Sequence, residues 1–373
     1  MGYVRWRGKS YYYTVDIGKD PKTGKRKQKS KGGFKTKKEA ERAMQDVELQ
    51  IYRGDYVHTK KITFEDFAEE WMEIMQNNYR ASTFSVYAGV IRNRIVPEFA
   101  KAKLGDIKQI DLQRFYNRMD EEGLSAKYIK LLHNILSAMY RDAVAWEYVT
   151  KNITNNLSTP KGNKKEMKTW TIEQSRFFLE HAKNETKRYP VFVLAIWTGM
   201  RTGEIHGLKW KDIDFERQTI TVRRTVAWAG KQGHILQDVK TEGSQRTIKI
   251  SDFVTDVLKQ HRLKQKELMF KLQREFKEDQ CVFLSYNGNR IDPRGTSRRL
   301  FEISQKIGLP RIRMHDLRHT HASISLQLNQ HPKVVSERLG HKSIDITLDL
   351  YSHVTETLQE ESVEQFERAM NEK

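Results

Sequence analysis

The chain has 373 residues, enough for two or three domains, and 38% of them are hydrophobic, so each domain can bury a core. Lys and Arg number 67 against 48 Asp and Glu, and the net charge of +19 calls for a polyanionic partner, with nucleic acid ahead of a membrane because no basic amphipathic helix or lipidation signal accompanies it. A single cysteine, Cys281, excludes a disulfide framework and a cysteine-built zinc site; with no apolar run near the ~20 residues of a membrane span and no signal-peptide pattern in MGYVRWRGKSYYY, a cytoplasmic protein is expected.

Residues 1–61 carry 17 Lys and Arg against 7 Asp and Glu, which points to a dedicated binding module. Tyr11, Tyr13, Val15 and Ile17 alternate toward one face; a turn at Asp20-Pro21-Lys22-Thr23-Gly24 leads into the basic strand Lys25 to Lys31, so a β-hairpin is predicted. Thr36-Lys37-Lys38-Glu39 is a capping box, after which Ala40, Ala43, Met44, Val47 and Ile51 form one helical stripe. The expected product is a small α+β domain, a three-stranded sheet plus helix, whose Lys25, Arg26, Lys27, Lys29 and Lys31 can contact DNA phosphates. The alternative is a charged, solvated hairpin.

From Ile62 the pattern is helical. Thr63 caps a helix with Phe64, Phe67, Ala68, Trp71, Met72 and Met75; Ser82 or Thr83 opens a second; Asp111 begins a third with Leu112, Phe115, Tyr116 and Met119; Ser125 to Trp146 is a fourth. These aromatics read as core rather than a base-stacking platform. An all-α four-helix domain over 62–152 follows, then a linker over 153–169, where Asn155 to Lys168 is rich in Asn, Lys, Ser, Thr, Pro and Gly. The rest, 170–373, is expected to be a mixed, mainly α domain with a small antiparallel sheet. It opens on the capping box Thr171-Ile172-Glu173-Gln174, continues through the apolar run Val191 to Trp197, and holds strand-like segments at Thr219 to Ala227 and His234 to Ile250 with a turn at Thr241 to Ser244. Helical patterning resumes near Asp252, and a last helix after Tyr351 carries Val354, Leu358, Val363, Phe366 and Met370, to pack in cis or on a neighbouring protomer.

The chemistry concentrates late in the chain. His315 and Arg318 lie three apart and share one helix face, and Tyr351 follows His341 by ten residues. Earlier, Arg201 stands in TGMRTGE, where glycines allow a tight turn and Glu204, one helical turn on, can hold the guanidinium; a purely structural Arg201–Glu204 pair is the competing reading. A guanidinium suits two non-bridging phosphate oxygens. His-x-x-Arg alone is weak, since this composition yields about one by chance. The ordered set is not: TGxRxGE, a hairpin lysine, HxLRHTHAS, RLGH, then a tyrosine.

That set resembles the tyrosine recombinase family, and its three-part layout resembles the integrases of phages and conjugative transposons; the likeness covers about residues 62–355 well, and residues 1–61 resemble the arm-binding domain less specifically. The resemblance implies that Arg201 and Arg318 grip the scissile phosphate, that His315 heads the HxxR motif, and that Lys240, in VKTEGSQRTI, is the hairpin lysine, with Lys231 its rival. It likewise makes His341 a phosphate donor, Tyr351 the nucleophile and Glu204 the support of Arg201. It implies double-stranded DNA as partner at core and arm attachment sites, a homotetramer on DNA and accessory bending and excision factors.

Physical chemistry agrees with these roles. A phenol of pKa about 10 is only ~0.1% ionised at neutral pH, so Tyr351 needs a proton acceptor, for which His315 is suited. The leaving 5′ oxygen needs a proton, which an ammonium such as Lys240 can deliver. Neither metal nor cofactor is called for. His319 and His321 cannot both face the phosphate with His315 and Arg318, and the isolated Tyr189 and Tyr286 read as packing residues. Asn329 stands in the turn before the RLGH helix, where the family often has Gly, and Asn tolerates the left-handed conformation needed there. Two other readings remain: a type IB topoisomerase-like relaxing enzyme, and a catalytically silent DNA-binding regulator.

Overall fold

The computed structural model describes residues 2–19, 24–52, 62–162, 167–239, 245–341, 343–345, 347–348, 367, 370 and 371. It divides into two compact units, Met1–Asn163 and Lys164–Lys373. The expected turn at Asp20 to Thr23, the turn at Thr241 to Ser244 and the helix after Tyr351, apart from single residues, lie outside the described residues.

The first unit opens with an antiparallel sheet in the order β1 (Tyr3–Arg7), β2 (Ser10–Lys19), β3 (Arg26–Phe34), followed by α1 (Lys37–Tyr52). Strand β1, which the hairpin reading lacks, is joined to β2 by the two-residue turn Gly8-Lys9, with Gly8 in the left-handed region at φ 66°. The expected capping box forms: the Glu39 N–H donates to Thr36 Oγ1 at 3.2 Å, and the Thr36 N–H donates to Glu39 Oε2 at 3.3 Å. Helix α1 packs on Tyr13 and Val15, with Val47 buried between. Tyr11 and Ile17 are only half-buried, because β2 is bulged against β3 between Tyr11 and Tyr13 and between Asp16 and Gly18, which breaks strict alternation.

The helices α2 (Phe64–Met75), α3 (Ala81–Val90), α4 (Val96–Phe99), α5 (Gln109–Glu121) and α6 (Ala126–Ala145) complete the unit. A π turn over Ile91–Ile95 joins α3 to α4, so the bundle has four helical rods as expected. Two starts differ. Helix α3 begins at Ala81, ahead of Ser82 and Thr83, with Arg80 as a cap that offers no side-chain bond. Helix α5 begins at Gln109, because Asp111 sits inside the first turn and its carboxylate reaches back to accept the Lys108 N–H at 2.9 Å. The aromatics are core: Phe64, Phe67, Trp71 and Tyr116 are fully buried.

In the second unit, α7 (Ile172–Glu185), α8 (Tyr189–Thr198) and α9 (Thr202–His206) precede β4 (Ile213–Asp214), β5 (Thr219–Val222), β6 (Arg224–Trp228), β7 (His234–Asp238) and β8 (Arg246–Lys249). Helices α10 (Asp252–Lys271), α11 (Pro293–Lys306), α12 (Asp316–Gln327) and α13 (Pro332–Leu339) follow. The single small sheet read from sequence is two. Thr219 to Ala227 is not one strand but breaks at Arg223; β5 joins β4 and β8 in one sheet, while β6 pairs only with β7 in a separate ribbon. Helix α8 is the axis of this unit, with Val191, Phe192, Val193 and Leu194 fully buried and α7, α10 and α12 against it. Tyr189 packs against that core, but Tyr286 is 82% exposed, so its reading as a packing residue is wrong; it lies in the exposed turn before Gly288. Asn329 adopts the left-handed conformation at φ 55°. Among the described residues no helix is long and apolar enough to cross a membrane.

Candidate active site

Arg201 caps α9 and is held on two sides: its Nη1 donates to Glu204 Oε1 at 2.8 Å and its Nη2 to the Gly340 carbonyl at 2.9 Å. The Arg201 N–H also donates to Glu204 Oε2 at 2.9 Å. Glu204 is buried and is shared with a second guanidinium. Arg246, at the start of β8, donates to both Glu204 oxygens at 3.2 and 2.8 Å, and its Nε donates to the Arg338 carbonyl at 2.7 Å. Burial alone would raise the Glu204 pKa, but the Arg246 hydrogen bond and the charges of Arg246 and Arg201 hold it below the usual carboxylate range.

The tight turn ahead of Arg201 depends on Gly199, at φ 62°, where a Cβ would lie 2.4 Å from Leu339 Cδ2 and 2.7 Å from His321 Cδ2. This close approach brings α13 and α12 onto the end of α8. Arg318, on α12, then donates through Nη1 to the Gly199 carbonyl at 2.9 Å. Its Nη2 is buried and has no hydrogen-bond partner among the described residues. Burial, then the neighbouring Arg201, pushes the Arg318 pKa down to about 9. A buried guanidinium N–H beside a second guanidinium is suited chemically to the oxygens of an anion.

The imidazoles surround the same place. His315 precedes α12 and meets His319 edge-on, with ring centroids 4.9 Å apart. Part of His315 is solvent-accessible, yet desolvation, followed by His319 and Arg318, pushes its pKa down to about 4. His341 follows Gly340, which ends α13 in the left-handed region at φ 68°. Burial, then Arg318 and Arg201, brings the His341 pKa down to about 3. His321 is turned away: its Nδ1 bonds the Ile196 carbonyl at 2.9 Å and its Nε2 accepts from Arg338 Nε at 3.3 Å. His319 does reach the cluster, and its Nδ1 is buried without a partner among the described residues. The structure thus gathers Arg201, Glu204, His315, Arg318 and His341. Lys240 and Tyr351 lie outside the described residues, and the backbone of Lys231 falls in the turn Gly230–Gln232 between β6 and β7.

Arg246 was not singled out from sequence, although it stands in the QRTI segment that follows Lys240; the motif was the available signal. In the N-terminal sheet the register places Lys29 opposite Val15 and Lys31 opposite Tyr13, on the side where α1 packs. Lys27 shares that side, Lys25 precedes the strand, and Arg26 is ion-paired with Asp16. The face without a helix carries Tyr3, Arg5, Arg7 and Tyr12 instead: Tyr3 is opposite Thr14, Arg5 opposite Tyr12 and Arg7 opposite Ser10. The Arg5 guanidinium lies over the Tyr3 ring at 5.8 Å.

A family model described as the Phage integrase family matches residues 168–357. Models described as an Arm DNA-binding domain and a Phage integrase, N-terminal SAM-like domain match residues 3–51 and 63–119. The chain is 34% identical, over 94% of each protein, to a tyrosine recombinase XerC-like protein of Caldanaerobacter subterraneus subsp. tengcongensis, and 25% identical, over 96% of each, to the ICEBs1 integrase of Bacillus subtilis. Its fold is like that of the Tn1549 transposon integrase, solved in complex with a circular intermediate DNA, with TM-score 0.67 and 23% identity over 80% of this chain and 98% of that one. Fold, pocket and matches together define a site-specific DNA recombinase of the tyrosine type. The chain belongs to the phage integrase family.

Proposed function

We propose that this recombinase integrates and excises a mobile element through a 3′-phosphotyrosine intermediate, with Arg201, Arg318 and His341 holding the scissile phosphate. The observation that carries this reading is the buried Nη2 of Arg318, without a partner among the described residues, in a pocket shared with Arg201 and neutral imidazoles. Tyr351 Oη attacks phosphorus as His315 takes the phenolic proton. The bound phosphate, being anionic, raises the His315 pKa from about 4 toward the range where imidazole accepts it. The P–O5′ bond breaks, and the leaving oxygen takes a proton from Lys240. Each donor to the five-coordinate phosphorus stabilises the transition state by roughly 3 kcal/mol. The phosphotyrosine bond retains the phosphodiester's energy, so a DNA hydroxyl reverses the attack without ATP.

Two duplexes have four strands to cut, and one nucleophile per chain makes a homotetramer the working unit. In this reading residues 170–373 carry the chemistry, 62–152 grip the core site and 1–61 hold an arm site, in a cytoplasmic reaction assisted by bending and excision factors. The register of the N-terminal sheet favours Arg5, Arg7 and Tyr12 on its open face as the arm-site contacts over Lys29 and Lys31. The test is a suicide substrate nicked beside the cleavage position. Tyr351→Phe should bind it and form no covalent adduct; an adduct at the normal yield would overturn the nucleophile assignment.

A further inference from the structure

The pocket contains one hydroxyl that neither the motifs nor the proposed chemistry uses. Thr347 lies six residues after His341 and four before Tyr351. Its side chain is fully buried, and its Oγ1 is 2.8 Å from Nδ1 of His341. Its backbone N–H is already bonded to the Ile344 carbonyl at 2.8 Å, so Thr347 is fixed in a turn that leaves the hydroxyl to the imidazole. A neutral imidazole has one N–H. The Thr347 hydroxyl can donate to Nδ1 or accept from it, while an anionic phosphate on Nε2 can only accept. Both contacts are satisfied together only when the hydroxyl donates and the proton is on Nε2. When the Thr347 hydroxyl donates to Nδ1, the proton resides on Nε2. In the opposite tautomer an Nε2 lone pair would meet the phosphate oxygen and repel it.

We propose that Thr347 is a positioning residue that holds His341 as its Nε2–H tautomer, so that this N–H is the donor offered to the scissile phosphate. The inference rests on the reading of His341 as a phosphate donor. Among the described residues the charged and titratable groups around His341 are Arg318, Arg201, His319 and Arg246; burial first, then the arginines, keeps the ring in the neutral form for which the tautomer matters. Thr347 also lies four residues ahead of Tyr351 in the sequence.

The experiment uses the full chain and the nicked substrate, reading the single-turnover rate of adduct formation and DNA affinity separately. Thr347→Val, which keeps the buried shape and removes the hydroxyl, should slow adduct formation by about 10–100-fold with affinity unchanged, a loss of the size seen when the hydrogen-bond partner of a metal-bound histidine is removed. Thr347→Ser should restore the rate to within about threefold. Rescue by serine, which keeps the hydroxyl and lacks the methyl, is an outcome that a merely structural threonine would not produce. In a His341→Ala background, Thr347→Val should cost nothing further. A Thr347→Val rate equal to that of the unaltered chain, a Thr347→Ser as slow as Thr347→Val, or fully additive losses in the double variant would each overturn the proposal. If His341→Ala itself cuts at the full rate, or Tyr351→Phe forms adduct, the underlying reading fails; if both behave as expected, a normal Thr347→Val rate removes only the role of Thr347.

Discussion

Replacing Arg246 by Met removes a guanidinium while keeping most of its stem. Three hydrogen bonds disappear, two to Glu204 at 3.2 and 2.8 Å and one to the Arg338 carbonyl at 2.7 Å, from a pair whose side chains are 8% and 3% exposed. Breaking such a buried ion pair costs ~3–5 kcal/mol, because the remaining charge stays buried. Glu204 still accepts from Arg201 Nη1 at 2.8 Å and from the Arg201 N–H at 2.9 Å, which places the loss near the lower figure. For a unit of this size each kcal/mol moves the unfolding midpoint by ~2–4 °C, so the transition of the C-terminal unit should fall by about 6–12 °C in calorimetry near neutral pH. The sign of the pH effect follows from Glu204. Its pKa is depressed in the fold, so its contribution is present above the unfolded value of ~4.3 and is lost as pH falls through the folded one. The gap between Arg246→Met and the unaltered chain should therefore close in acid. A midpoint within about 2 °C of the unaltered chain at neutral pH would show that Arg201 alone compensates Glu204 and that the clamp reasoning is wrong.

Two further outcomes follow from the same geometry. His206 is fully buried between the Thr202 carbonyl and Thr296, and burial pushes its pKa down to about 4. The unfolded chain, with a histidine pKa of ~6.5, binds the proton first, so this stability is complete above that value and is lost as pH falls toward 4, by roughly 3 kcal/mol. Denaturant midpoints of His206→Gln should be flatter with pH across that range, and parallel curves would refute the assignment. Gly199→Ala forces a Cβ to within 2.4 Å of Leu339 at a left-handed backbone position and should cost roughly 2–5 kcal/mol in urea unfolding; a loss under about 1 kcal/mol would mean that the turn relaxes freely.

Local chemistry was legible in the sequence at several places where the partner lay within one helical turn, though the Arg313–Asp316 pair, equally local, was not. The boxes at Thr36 and Thr171, the Thr63 cap and the Arg201–Glu204 pair all span three residues, and all form. Asp111 shows the limit of that logic: a carboxylate signals a helix start equally well from the cap or from the first turn, and here it is in the turn. The break at Arg223 was hidden because β5 and β6 read as one extended run, and only their partners, β8 and β7, assign them to different sheets. Arg246 was hidden for a related reason, since its carboxylate is 42 residues away. The cationic strand was read correctly as a strand, but which side its lysines face depends on the bulges of β2, and no period-two pattern anticipates those. The motif order from TGMRTGE to RLGH was the strongest signal, and among the described residues Arg201, Arg318 and the Gly340–His341 turn do converge.

The bond from Arg201 to the Gly340 carbonyl joins residues 139 positions apart, and Arg318 reaches Gly199 across 119. At a synthesis rate of roughly 5–20 residues per second, the ribosome needs on the order of ten seconds to supply the second half of the pocket after the first has emerged. During that interval the nascent chain already contains the segments matched by the arm-binding and SAM-like models but not the assembled pocket. A truncated translation product ending before Gly340 lacks the carbonyl that holds Arg201. The separation of Arg201 and Gly340 along the chain means that the pocket can close only after nearly the whole polypeptide has been made.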